Sequence, residues 1–296
     1  MSLTSTTHPG ASAEAIQHHY DAGRQFYALW LDPGMTYSSA LWYEAEEDLE
    51  TAQRNKHDWH LDRAGIGGVT RLLDVGCGWG RLMQRALERK PDCHCTGLTL
   101  SRDQADFVAT LGDPRIDARL ESWADHMPDQ PYNGIVSIGA FEHFARLEQT
   151  VDDKIAGYRR FFGFCHRNLS ADGRMSLQTI TYENADRCNF SQFFAEHIFP
   201  ESDLPHLAEI AQAVKGLFEI VELRNDRHHY AATLRHWQRQ LKQRKDEAIA
   251  LIGEARYREY EKYLALMIVA FHTGTMNLSR LALRRLPGST PLSVER

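Results

Sequence analysis

Asp74-Val75-Gly76-Cys77-Gly78-Trp79-Gly80 follows the apolar run Arg71-Leu72-Leu73 and precedes a helical stretch from Arg81 to Arg89 that Pro91 stops. A strand that hands over to a helix through three alternate glycines opens a βαβ unit, and those glycines let the backbone pass beneath a ligand without Cβ interference. A ligand containing adenosine is the natural occupant. A dinucleotide fingerprint would place its third glycine at 81, where Arg81 stands, and an acid about 20 residues further on. Here the third glycine is Gly80 and that acid is missing, which disfavours NAD.

Outward from this turn, apolar or β-branched runs recur at Cys93 to Leu100, Ile116 to Leu120, Gly134 to Ile138, Met175 to Thr181, Glu219 to Leu223 and Tyr230 to Leu234. Alternation with helical stretches predicts an α/β fold, a mostly parallel seven-stranded sheet with helices on both faces. Ahead of it, Ile16, Tyr20, Gly23, Tyr27 and Trp30 mark one stripe of a helix from Ala13 to Leu31, ended by Asp32-Pro33, and a second helix is predicted from Leu49 to Leu61. Residues 1–68 therefore read as a helical cap and 69–296 as the main domain. Within the latter, about 182–218 reads as an insertion walled by Phe190, Phe193, Phe194 and Phe199, and about 235–285 as helices with Tyr257, Tyr260, Leu264, Met267, Phe271 and Leu278 on one buried face.

The 296 residues are 43% apolar and 25% charged, with a net charge of −6, which is globular composition and lacks the basic excess of a nucleic-acid binder. One segment runs against this balance: from Arg224 to Lys245 seven Lys/Arg stand against one Asp, which suits an anionic carrier, a lipid head group or a membrane surface. Cys77, Cys93, Cys95, Cys165 and Cys188 form no CxxC pair, and the histidines show no ligand spacing, so reduced thiols and no metal are expected. The longest apolar run, Tyr263 to Phe271, is half of a bilayer span of roughly 20 residues. The amino terminus lacks the pattern of a secretory signal, so a cytoplasmic protein is expected.

The pattern Asp-x-Gly-x-Gly-x-Gly resembles motif I of class I S-adenosylmethionine-dependent methyltransferases. A narrower resemblance runs from about residue 15 to about residue 285. His19-Tyr20-Asp21 to Ser38, Leu72 to Gly80, Gly97-Leu98-Thr99-Leu100-Ser101 and Ser137 to Phe144 together resemble the cyclopropane-fatty-acid synthase family, which includes the mycolic acid cyclopropane synthases. The resemblance implies that S-adenosylmethionine lies against Asp74, Gly76, Gly78 and Gly80, with Thr99, Leu100 and Gln104 near its ribose and adenine, Trp123 and Ile138 as walls, and Tyr37 and Ser38 closing from the cap. The residue after the tryptophan, commonly acidic in the family, is here Ala124.

Methyl transfer to an alkene carbon leaves a carbocation, so the acceptor pocket needs dryness, aromatic faces and a base. The resemblance makes Glu142 the acid of that pocket. Family members hold a bicarbonate ion there through a Cys backbone region, a Glu, a His, a Tyr and a second Cys. Glu142 and Tyr230 match, whereas Ser39, Gln178 and Met267 stand at the other three positions, which puts bicarbonate and ring closure in question. The expected activity is methylation of carbon in an unsaturated acyl or prenyl chain, with or without cyclopropane formation; the alternatives are methylation of a small specialised metabolite and non-catalytic binding.

Overall fold

The computed structural model describes residues 23–185 and 202–287. Phe190, Phe193, Phe194, Phe199 and Cys188, and the predicted helix before Gly23, lie outside them. Leu72, Leu73, Asp74 and Val75 are all buried, as a central parallel strand covered on both faces requires. This strand, β1 (Arg71–Val75), pairs in parallel with β2 (His94–Thr99) and β4 (Tyr132–Ile138). Outside them run β3 (Ile116–Leu120) and β5 (Leu169–Tyr182), also parallel. The order β3-β2-β1-β4-β5-β7-β6 reverses direction between β1 and β4, the place where open α/β sheets bind ligands at their carboxyl ends.

The described helices are α1 (Arg24–Tyr27), α2 (Leu49–Arg63), α3 (Arg81–Arg89), α4 (Arg102–Ala109), α5 (Val151–Asn168), α6 (Leu207–Val214), α7 (Arg227–Gln243), α8 (Lys245–Ile252) and α9 (Glu254–Thr273). Side chains of α2 and α3 pack on one face of the sheet and those of α5 and α6 on the other. A third core joins α1 and the turn after it to α7, α8 and α9. Local signals set the ends: Asp48 accepts from Thr51 N at 2.7 Å to start α2, and Thr150 and Asp153 form a reciprocal cap on α5.

Two expectations change. Tyr230 to Leu234 is not a strand but part of α7, where Tyr230, Ala231, Leu234, Trp237 and Leu241 are buried at helical steps. The seventh strand is β7 (Met276–Arg285), inside the stretch predicted to be wholly helical. It runs antiparallel between β5 and β6 (Phe218–Asn225), with Arg174 opposite Arg284 and Tyr182 opposite Met276. The turn into it is made by Gly274, whose φ of 84° ends α9 in the left-handed region.

Candidate active site

A cavity opens at the carboxyl ends of β1 and β4. Asp74, Gly76 and Gly78 line it from the first strand and its turn, Thr99, Leu100 and Gln104 from the second, and Trp123, Ile138 and Gly139 from the far side. Tyr37 and Ser38 close it from the cap. Every expected donor-binding residue except Gly80 is in this lining; Gly80 instead starts α3 at a φ of 81°.

The glycines divide the work. A Cβ on Gly76 would lie 2.6 Å from the Ala140 Cβ, so this position lets two strand ends approach. A Cβ on Gly78 or Gly139 would meet no atom within 4 Å and would fill the cavity instead. Thr99 Oγ1 donates to Gln104 Oε1 at 2.7 Å and accepts from Ser101 N at 3.1 Å, which fixes the loop after β2. Trp123 is held edgewise by Phe161, with Phe144 and Phe164 tilted against it. Three residues before Ala124, Glu121 lines the cavity and binds His126 Nδ1 at 2.5 Å. A cradle of glycines opening into space, aromatic walls and side-chain carboxyls, with no loop of phosphate-binding form, fits S-adenosylmethionine.

The cap is held by a polar face of α2 that periodicity of apolar residues does not reveal. Gln53, Lys56, His57 and His60, at steps of three, one and three, are all buried. Gln53 Nε2 donates to Ser38 O at 2.9 Å and Lys56 Nζ to Ser38 Oγ at 2.9 Å; Lys56 and His57 also line the cavity. The spacing of these four polar residues is the signal that could have marked them as one inward face. Asp32 shapes the preceding turn, accepting from Gly34 N and Thr36 N, each at 2.9 Å, around Met35 at a φ of 57°.

Ser39, Glu142, Gln178 and Tyr230 lie outside this cavity lining. Glu142 is in a short 3₁₀ turn (Phe141–His143) just after β4 and is 3% exposed. Its Oε1 accepts from Ile180 N at 2.7 Å, while Oε2 is buried with no partner among the described residues, and burial pushes the carboxyl up to about 7. Tyr230 packs on Phe271, with ring centroids 4.4 Å apart, in the apolar cluster that also holds Ile180, Tyr182 and Met267.

Gln178 and Ser39 meet a residue that pattern reading missed, Arg280 of β7, which is fully buried. Its guanidinium donates to Gln178 Oε1 at 2.8 Å, to Ser39 O at 3.2 Å, to Ala40 O at 3.0 Å and to Asp226. The same Gln178 oxygen lies 3.3 Å from His60 Nε2, whose ring is bound through Nδ1 to Ser176 Oγ at 2.7 Å. The Ser39 hydroxyl donates to Ala40 O at 3.1 Å. The Ser39 carbonyl and hydroxyl and the Gln178 oxygen are thus engaged, and Met267 offers no hydrogen-bond donor.

Much of the basic segment is neutralised internally. Arg224 pairs with Asp226, Arg244 with Glu247 and Lys242 with Glu261, and Arg227 donates to the Phe271 and His272 carbonyls at the end of α9.

Residues 7–281 match the family model for mycolic acid cyclopropane synthetase. Cyclopropane mycolic acid synthase 2 of Mycobacterium leprae is 38% identical over 272 residues, covering 85% of this chain and 87% of its own. Cyclopropane mycolic acid synthase 3 of Mycobacterium tuberculosis is 35% identical over 96% of this chain and 100% of its own. Among solved structures, mycolic acid cyclopropane synthase CmaA1 complexed with SAH and CTAB superposes with a TM-score of 0.83 at 34% identity, over 93% of this chain and 99% of that one. With the glycine cradle, the reversal between β1 and β4 and the cap in place, the chain belongs to the mycolic acid cyclopropane synthetase family.

Proposed function

We propose that the protein transfers the methyl group of S-adenosylmethionine to a carbon of an unsaturated, lipid-type chain, with Glu142 as the proton acceptor. One observation carries the reading: Met35 and Trp79 belong both to the donor cavity lining and to the packed apolar cluster that contains Tyr230, and Tyr37 of the lining packs against that cluster, so apolar and aromatic side chains border the donor cavity directly. S-adenosylmethionine supplies an electrophilic methyl group when bound. Asp74, Gly76, Gly78, Thr99, Leu100, Gln104, Trp123 and Ile138 hold it, Glu121 replaces the acid absent at Ala124, and Tyr37 and Ser38 exclude water.

On the acceptor side, the alkene π pair forms the new carbon–carbon bond and a cation develops at the neighbouring carbon. Tyr230 and the rings around Tyr37, namely Tyr27, Trp30 and Trp237 with centroids 5.2 to 5.4 Å away, supply faces that tolerate positive charge. The ionised Glu142 takes a proton from carbon, and the released pair closes either a ring or a new double bond. Arg280, Gln178 and Ser39 then serve as positioning groups that fix the cap against β5. Turnover to S-adenosylhomocysteine on a panel of unsaturated acyl chains tests the reading; transfer only to nitrogen or oxygen of small polar acceptors would favour the metabolite alternative.

No described helix is long and apolar enough to cross a membrane. The four described cysteines are free. Contact with an anionic carrier or head group through Arg224 to Lys245 is part of the proposal, and it fails if liposome sedimentation is indifferent to anionic lipid and salt.

A further inference from the structure

Lys56 and Asp74 line the donor cavity and are 1% and 3% exposed. Lys56 has no carboxylate at ion-pair distance among the described residues, and its ammonium reaches Ser38 Oγ instead. The charges that act on it come from three directions, Asp32 in the cap turn, Asp74 in β1 and Arg280 in β7, and Arg81 of α3, Glu121 after β3 and His143 after β4 line the same cavity. His57 and His60 flank it on its own helix, and burial holds both imidazoles neutral. The Asp74 carboxyl is in turn influenced by burial and by Lys56. A buried cation and a buried acid without a close counter-ion therefore face one cavity, and the ligand assigned to that cavity changes charge during turnover. The donor carries a sulfonium, whereas the spent product is a neutral thioether.

We propose that Lys56 and Asp74 form a charge-sensing pair: the sulfonium of the bound donor expels a proton from the pair, and the neutral product does not. Like charges sharing one cavity repel, so a sulfonium favours the neutral amine of Lys56, and it attracts the ionised form of Asp74. Both responses release protons, and loss of the positive charge on methyl transfer reverses them. The pair thus distinguishes donor from product by charge, although the two differ by a single methyl group. Burial lowers Lys56 to about 7 and raises Asp74 to about 7, so both groups are poised to respond near neutrality. The inference rests on the assignment of the cavity to S-adenosylmethionine.

Calorimetric titration at pH 7 in buffers of different ionisation enthalpy tests it without turnover. S-adenosylmethionine should release about one proton more than S-adenosylhomocysteine, about half from each group. Between pH 8 and pH 6 the affinity for donor relative to product should fall roughly tenfold for each group. Lys56→Met and Asp74→Asn should each remove about half of the extra proton and one tenfold step of the pH dependence. Equal proton release by the two ligands in the unmodified protein overturns the proposal, as does a difference that persists in the double variant. If neither ligand binds, the cavity assignment itself falls, and the pair's role with it.

Discussion

Replacing Glu142 with Gln should slow turnover sharply and stabilise the fold at the same time. The carboxyl is 3% exposed, one oxygen accepts from Ile180 N at 2.7 Å, and the other has no partner among the described residues. Burial raises it from 4.5 to about 7. The folded chain therefore binds this proton more tightly than the unfolded chain, which fixes the sign: the contribution to stability is full below pH 4.5 and is lost as pH rises towards 7. At 1.36 kcal/mol per pH unit the cost reaches about 3 kcal/mol above pH 7. Gln is neutral throughout, so E142Q should be about 1–3 kcal/mol more stable than the unmodified protein at pH 8 and gain nothing at pH 4. Midpoints of urea unfolding followed by tryptophan fluorescence read this difference. Turnover should move the other way, because the base is about one-tenth ionised at pH 6 and about nine-tenths ionised at pH 8. At saturating S-adenosylmethionine, kcat/KM for the acceptor should rise about tenfold over that interval, and E142Q should lose about 10²- to 10⁴-fold together with this acid limb. An E142Q protein that keeps more than about a tenth of the rate, or that is less stable at pH 8, would refute the assignment.

Arg280→Met leaves the Ser39 carbonyl without its donor and the Ala40 carbonyl with only the Ser39 hydroxyl, and removes one of the two cations on Asp226, so it should cost about 3–5 kcal/mol in urea unfolding; a loss under about 1 kcal/mol contradicts the network. Gly76→Ala, with its Cβ 2.6 Å from Ala140 at a φ of 83°, should destabilise by about 2–4 kcal/mol. Gly78→Ala should cost only about 1 kcal/mol in stability yet weaken donor binding by calorimetry, because its Cβ enters the cavity. Glu121→Gln should weaken S-adenosylmethionine and S-adenosylhomocysteine equally, by about tenfold, if its carboxylate serves the adenine; an unequal effect places it near the sulfonium instead.

The parallel half of the sheet was legible because strands buried on both faces are short apolar runs bounded by turns, as Arg71–Val75 and Tyr132–Ile138 are. The seventh strand was not. β7 carries Asn277, Ser279 and Arg280 in a fully buried stretch, and these polar residues broke the apolar run, whereas Tyr230 to Leu234 imitated one inside a helix. The same inversion governs the site. The glycine turn announced the donor cavity because backbone approach demands glycine, and the acids at strand ends followed from topology. Lys56, His60 and Arg280 stayed hidden because side chains of these types are ordinarily solvated; only the assembled fold shows Gln178, Ser39, Ser38 and Ser176 supplying their partners.

The central claim, methyl transfer to carbon of an unsaturated chain, is tested most directly by product mass spectrometry with S-adenosylmethionine deuterated at its methyl group. The account predicts a chain whose carbon skeleton carries the label, with three deuteriums kept if the proton leaves the chain and two if a ring closes. Label found only on oxygen or nitrogen, or S-adenosylhomocysteine formed with no labelled chain, would contradict it.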